Sequence, residues 1–321
     1  LLSRSAMLVL RADWWLAKAS FGRPDGFKGL YDELMFLPAR EADLYKMLGA
    51  DERYAERHRL AVGGARASGT SIVALHNREL EMIPIQSGKD HFLWRTRDVV
   101  NDLGGRSIRR NFAGSLEYDG REIIWSLPNG LHAYYLANGR GERAEEVPAT
   151  IAQDKQDPYD GRVVSPYKCL RCHGRTGIRG FRDAVGELAL SPDVGLAAIS
   201  KDPARVSELK VKAEDYYFGE ARESETAAQQ AAYRDAVKRL TGRDAGTSSA
   251  NYLRFVNAYV WGGVDRGAAS REFGVSEAGL TAHLKASGHP ELLAIAAGQR
   301  ASREAFEQAF KAGARVPRFR W

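Results

Sequence analysis

The chain has 321 residues, a length that suits one large domain or two ordinary ones. Apolar residues make up 44% and charged residues 27%, which excludes a disordered chain and allows a substantial core. The net charge of +6 suits an acidic partner or an anionic surface but is too small to argue for nucleic acid. No apolar run approaches the roughly eighteen residues of a membrane span.

The opening LLSRSAMLVLRADWWLA lacks an initiating Met, and Arg4, Arg11 and Asp13 break its apolar run. It reads as a processed or truncated start, with any export signal expected upstream. GLYDELMFLP and READLYKMLGADERYAERHRLAV place apolar residues at helical spacing, with Pro38 between them. TSIVALHNRELEMIPI and HFLWRTRDVV alternate and read as strands separated by the turn QSGKD. SLEYDGREIIWSLPNGLHAYYLANGRGER predicts three short strands with turns at Asp119-Gly120, Pro128-Asn129-Gly130 and Asn138-Gly139. A loop-rich stretch follows over 145–166.

Beyond about residue 183 the pattern is helical to the end. One or two long surface helices are expected over 203–242 and shorter ones after them, with Ser276 and Ser302 as caps. The expected class is α+β, mostly helical, with a small antiparallel β unit in the middle. The expected division is 1–150, a helical part plus the β unit; 151–190, the region of the cysteines; and 191–321, a helical part. All three are expected in one compact unit.

The chain has only two cysteines, and both fall in SPYKCLRCHGRTG. Cys169, Cys172 and His173 form CxxCH, the attachment pattern of c-type haem. Two residues between the thiols let one turn of chain reach both vinyl groups, and the next residue points its imidazole at the iron. Gly174 is expected to let the chain bend away from the porphyrin face. A zinc site wants a second ligand pair, and a thioredoxin-like dithiol wants a βαβ context. Neither is visible. Attachment of this kind follows export, so a periplasmic or extracellular location is expected, and spare thiols would mispair there.

The other face of the iron is less determined. All four methionines, Met7, Met35, Met47 and Met82, precede the motif, so a Met ligand downstream of CxxCH is excluded. His76 and Met82 are the leading candidates, then His91 and His132, with an open or water-bound position also in play. His58, His283 and His289 lie in segments that read as helical. Two strong axial ligands make an electron carrier; an open position makes a site for peroxide or a small gas. Arg171, Arg175, Arg179 and Arg182 crowd the motif, and one or two of them, Arg171 and Arg175 first, are expected on haem propionates. Trp94, Trp125, Tyr134 and Tyr135 are expected mainly in the core.

RADWW, HNREL with HFLWRTRDV, EIIWSLPNGLHAYYLANGRGERAEEVP, CLRCH and SREAFEQAF occur in this order. The chain thereby resembles a group of large exported bacterial proteins with one c-type haem each. In that group a helical part and an SLPNGLxAY segment precede a single CxxCH. The resemblance covers most of the chain and implies that Cys169 and Cys172 hold one haem c and that His173 is its proximal ligand. It implies no sixth ligand and no substrate.

Residues 266–288 also resemble a helix-turn-helix. The second helix, however, offers Glu277, Thr281 and His283 with only Lys285 at its end, a poor set for reading base edges. Nucleic acid is therefore not an expected partner. The expected function is electron transfer with a redox partner protein. A haem oxidoreductase with a displaceable distal site comes second, and a sensor or a subunit of a larger assembly third. The chain is about three times longer than a small cytochrome needs, which favours something beyond a bare carrier.

Overall fold

A computed structural model describes residues 12–20, 30–50, 61–62, 73–76, 78–86, 91–107, 111, 116–180, 200–216, 219–273, 276–286 and 288–311. Among them are eleven α-helices, one 3-10 turn, a five-stranded antiparallel sheet and a two-stranded one, so the class is α+β. By compactness the chain divides into Leu30–Ala250 and a second unit combining Leu1–Gly29 with Asn251–Trp321. The boundary falls inside a helix, not at residue 150 or 190.

In the larger unit the sheet runs in sequence order: β1 (Ala61–Val62), β2 (Arg78–Pro84), β3 (Phe92–Arg97), β4 (Gly120–Ser126) and β5 (His132–Asn138). Side chains alternate between faces along each strand. Ile83, Leu93, Ile123, Trp125, Ala133 and Tyr135 fill one face and pack with Leu37, Leu44 and Tyr45. Leu44 and Tyr45 belong to α3 (Glu41–Leu48), which follows the short α2 (Tyr31–Leu34). The opposite face carries the cross-strand row Met82–Trp94–Ile124–Tyr134, each member paired with the next. Both faces are covered, so buried polar residues such as Glu81 and Arg95 lie among the apolar ones.

The SLPNGL segment is the β4–β5 turn. Leu127 N–H donates to the Leu131 carbonyl over 2.7 Å, and Leu131 N–H donates to Asn129 Oδ1 over 3.0 Å. Gly130 has φ +86°, and a Cβ there would sit 2.7 Å from Ala236 Cβ, so both backbone and packing require glycine. At the far end of β5, Asn138 Oδ1 accepts from the backbone N–H groups of Arg140 and Glu142.

Three sequence expectations shift. Leu116–Tyr118 is not a strand: the Asp119 carboxylate accepts from Val100 N–H and Arg106 Nε, and Asp119 N–H donates to the Asp98 carbonyl. His76 stands at a bend before β2, not on a strand. The helix expected over 40–62 ends at Gly49 in the left-handed region, and Ala61–Val62 is a strand; 51–60 lie outside the described residues.

After β5 come the paired strands β6 (Glu146–Val147) and β7 (Val163–Val164), then α4 (Tyr167–His173), α5 (Pro203–Tyr216), α6 (Gly219–Thr241) and α7 (Ala245–Trp261). The smaller unit holds α1 (Ala12–Ser20), α8 (Arg266–Phe273), α9 (Glu277–Ala286), α10 (Pro290–Ala296) and α11 (Arg303–Lys311). Its core is Ala269, Leu280, Leu284, Leu292, Ile295 and Phe306, so the helix-turn-helix-like pair α8 and α9 packs into a bundle. Ser276 and Ser302 cap α9 and α11 as expected, accepting from Gly279 and Ala305 N–H. Lys18 pairs with Glu307 at 2.9 Å, tying α1 to α11. Among the described residues no helix is long and apolar enough to cross a membrane.

Candidate functional site

CxxCH lies on α4, seven residues long, directly after the loop-rich stretch. That loop anchors the helix. The buried Lys168 ammonium bonds the Asp157 carboxylate and the Asp160 carbonyl, with Asp154 Oδ2 3.6 Å away. Arg171 Nε pairs with the same Asp154 oxygen at 2.7 Å. Arg171 thus helps to fix the helix through Nε, whereas Arg175 is exposed beside Gly246 at the start of α7. Arg179 is half-buried, and Arg182 lies outside the described residues.

Cys169 and Cys172, three apart on a helix, share one side of it. Cys169 is buried in the cluster of Met82, Trp94, Ile124, Tyr134 and Ile178, while Cys172 is partly exposed. No disulfide joins them. Burial pushes the Cys169 thiol well above its ordinary range and the Cys172 thiol up to about 11. A redox dithiol needs the opposite shift, since the thiolate is the nucleophile.

His173 ends the helix, and its ring is set by its own turn. Gly177 N–H donates to the His173 carbonyl over 2.7 Å, and ring Nδ1 lies 2.9 Å from the Gly177 carbonyl. A carbonyl can only accept, so Nδ1 carries the proton and Nε2 the lone pair. Burial lowers the imidazolium's pKa, which keeps the ring neutral. Gly177 has φ +71°, and a Cβ there would meet His132 Cε1 at 2.8 Å and Tyr233 Cγ at 2.9 Å. Gly174, by contrast, is helical; what it supplies is close approach, since a Cβ would lie 2.7 Å from Ser249 Oγ.

Helix α6 closes this side. Tyr233 Oη donates to the Gly174 carbonyl over 3.2 Å, and its ring lies 4.6 Å from that of His132. One turn earlier, Gln229 Oε1 accepts from Trp94 Nε1 over 2.5 Å, and Gln229 Nε2 donates to Met82 Sδ over 3.5 Å. Burial pushes the His132 imidazolium pKa down to about 3, and its Nδ1 has no hydrogen-bond partner among the described residues. The fully buried Tyr134 hydroxyl likewise has none, and its ring centroid is 6.3 Å from that of His173.

The side chain facing His173 Nε2 is Glu122, with Oε1 3.8 Å away. Glu122 Oε2 accepts from Arg78 Nη1 over 2.8 Å, and Arg78 Nε pairs with Asp98 at 2.9 Å. Among the sixth-ligand candidates, Met82 joins the Cys169 cluster and His132 packs near Gly177. His76 and His91 stand half-buried before β2 and β3, and His289 pairs with Glu291. His58 and the side chain of His283 lie outside the described residues. Of the four aromatics, Trp94 and Tyr134 face α4, while Trp125 and Tyr135 face the other core.

The donor set fits a covalently held haem. Two thiols share one helix face, and a neutral imidazole presents Nε2 with its other nitrogen fixed, the outer arrangement that a metal-ligating His normally has. Among the described residues no group of three or more His, Cys, Asp and Glu side chains could hold a bare metal ion. Glu122, Asp154, Gly177, Gln229 and Tyr233 are additions to the residues read from sequence. No family model, curated protein or solved structure matches the chain.

Proposed function

We propose that the chain is an exported c-type cytochrome with one covalent haem, bound through Cys169 and Cys172, with His173 as proximal ligand, and that it passes electrons to or from a redox partner. The observation that carries this reading is the His173–Gly177 pair on a CxxCH helix, which leaves Nε2 as a lone-pair donor on the residue after the second thiol. The bound haem would supply one-electron iron chemistry. The chain's own work is to hold it. The Gly177 carbonyl orients His173 and raises its basicity. Asp154, through Arg171, and Asp157, through Lys168, fix the helix that presents the thiols. The +6 charge suits an acidic partner. A second reading, a haem oxidoreductase with a displaceable distal site, is favoured by a carboxylate, not a thioether or imidazole, lying against Nε2.

The test is expression with a haem-attachment system, then denaturation and acid–acetone extraction. Colour should stay with the polypeptide and vanish in Cys169→Ser/Cys172→Ser; extractable haem or a colourless protein overturns the reading. A low-spin spectrum in both oxidation states, indifferent to cyanide and carbon monoxide, supports the carrier. A high-spin ferric spectrum that shifts with cyanide supports the oxidoreductase.

A further inference from the structure

Two bonds of about 2 Å each, end to end across a metal, separate opposite donor atoms by about 4 Å. Glu122 Oε1 lies 3.8 Å from His173 Nε2, within that span. Met82 does not share this position. Its row runs Met82–Trp94–Ile124–Tyr134, so it sits three strands from Tyr134, roughly 14 Å at about 4.8 Å per strand, whereas Tyr134 is the member beside His173. The Met82 sulfur is also engaged by the Gln229 amide. The Glu122 carboxylate is held from behind by Arg78, itself braced on Asp98. Next to it the buried Tyr134 hydroxyl has no partner among the described residues, a hydrogen bond left for something entering this site.

We propose that Glu122 is the sixth-side group: a carboxylate that faces the haem iron opposite His173 and yields to small ligands such as cyanide or azide. The proposal rests on the covalent-haem reading above and, within it, takes the oxidoreductase with a displaceable distal site in place of the carrier. It assigns the distal side to a hard oxygen donor in place of His76 or Met82, one that a stronger ligand would displace.

The experiment is the ferric spectrum of the haem-loaded protein with and without cyanide, for the wild type and for Glu122→Gln, Glu122→Met and Met82→Leu. The wild type should be high-spin and turn low-spin with cyanide. Glu122→Gln removes both the competing oxygen donor and an adjacent negative charge, so cyanide should bind on the order of tenfold more tightly. Glu122→Met should be low-spin without cyanide, and Met82→Leu should match the wild type. If the Glu122 variants fail to fold, the wild type still decides. A low-spin ferric spectrum that ignores cyanide overturns the proposal, as does a Met82→Leu variant that alone changes spin state. Colour extractable by acid–acetone overturns the haem reading itself and this proposal with it; retained colour with a cyanide-indifferent spectrum overturns only this proposal.

Discussion

The two faces of the five-stranded sheet carry buried charge differently. Against α3, the guanidinium groups of Arg95, Arg97 and Arg121 meet the carboxylates of Glu41, Glu79 and Glu81. Tyr45 and Tyr118 lie under Arg95 and Arg121 at 5.0 and 4.3 Å. Anions and cations match there, and the network has no charge left over for a ligand. Against α4, Arg78 meets both Asp98 and Glu122, beside a neutral imidazole on which the Arg179 charge also acts. The Glu122 carboxylate turns one oxygen to Arg78 and the other toward His173. Both networks are buried; what separates them is that one carboxylate here faces an imidazole and not a second guanidinium.

The largest expected effect breaks the matched face. Glu81→Gln leaves Arg95 and Arg97 without a shared carboxylate and should cost about 3–5 kcal/mol in denaturant unfolding. The same residue predicts a pH dependence. Burial alone would raise the Glu81 carboxyl pKa, but Arg95 and Arg97 hold it below the usual range. Its contribution is therefore present above the unfolded value of about 4.3 and is lost as pH falls through the lower folded value. The variant should flatten the acid limb of the stability profile, and an unchanged limb would show that Glu81 is not the titrating group.

Gly177→Ala acts on the other face. It places a methyl group against His132 and Tyr233 at a left-handed residue and should cost about 1–3 kcal/mol. It should also disturb the spectrum of the loaded protein through His173; lost stability with an untouched spectrum would separate packing from ligand orientation. Trp94→Phe removes the donor to Gln229 and should cost about 1–2 kcal/mol by calorimetry. Met82→Leu should be the mildest, under about 1.5 kcal/mol, because it conserves core volume. A larger loss would mean that the thioether does more than fill space.

The strands β2 to β5 were legible because alternation and glycine turns reinforced one another along each run. The caps Ser276 and Ser302 were legible for the same reason: the information is local. Tyr167–His173 was missed as a helix because seven residues are too few to show a period. The Arg171–Asp154 pair was not legible, because Asp154 lies in an irregular loop whose path no periodicity encodes. Glu122 escaped notice because a polar residue alternating with Ile123 and Trp125 looks like the solvent side of a strand. Only the arrival of α4 makes that side an interior. Gln229 and Tyr233, one turn apart on α6, look like ordinary surface positions until the helix is seen packed.

The reciprocal pair between His173 and Gly177 spans four residues. Such a loop closes at small entropic cost and fast compared with strand pairing. Glu122, Met82 and Gln229 reach the site only after distant segments have met, which is the slower part of folding in mixed topologies. The two sides of the site thus mature at different times. An early chain can present an aimed imidazole and two neighbouring thiols while its sheet is still unmade, so a group that takes up these three side chains would not have to wait for the fold.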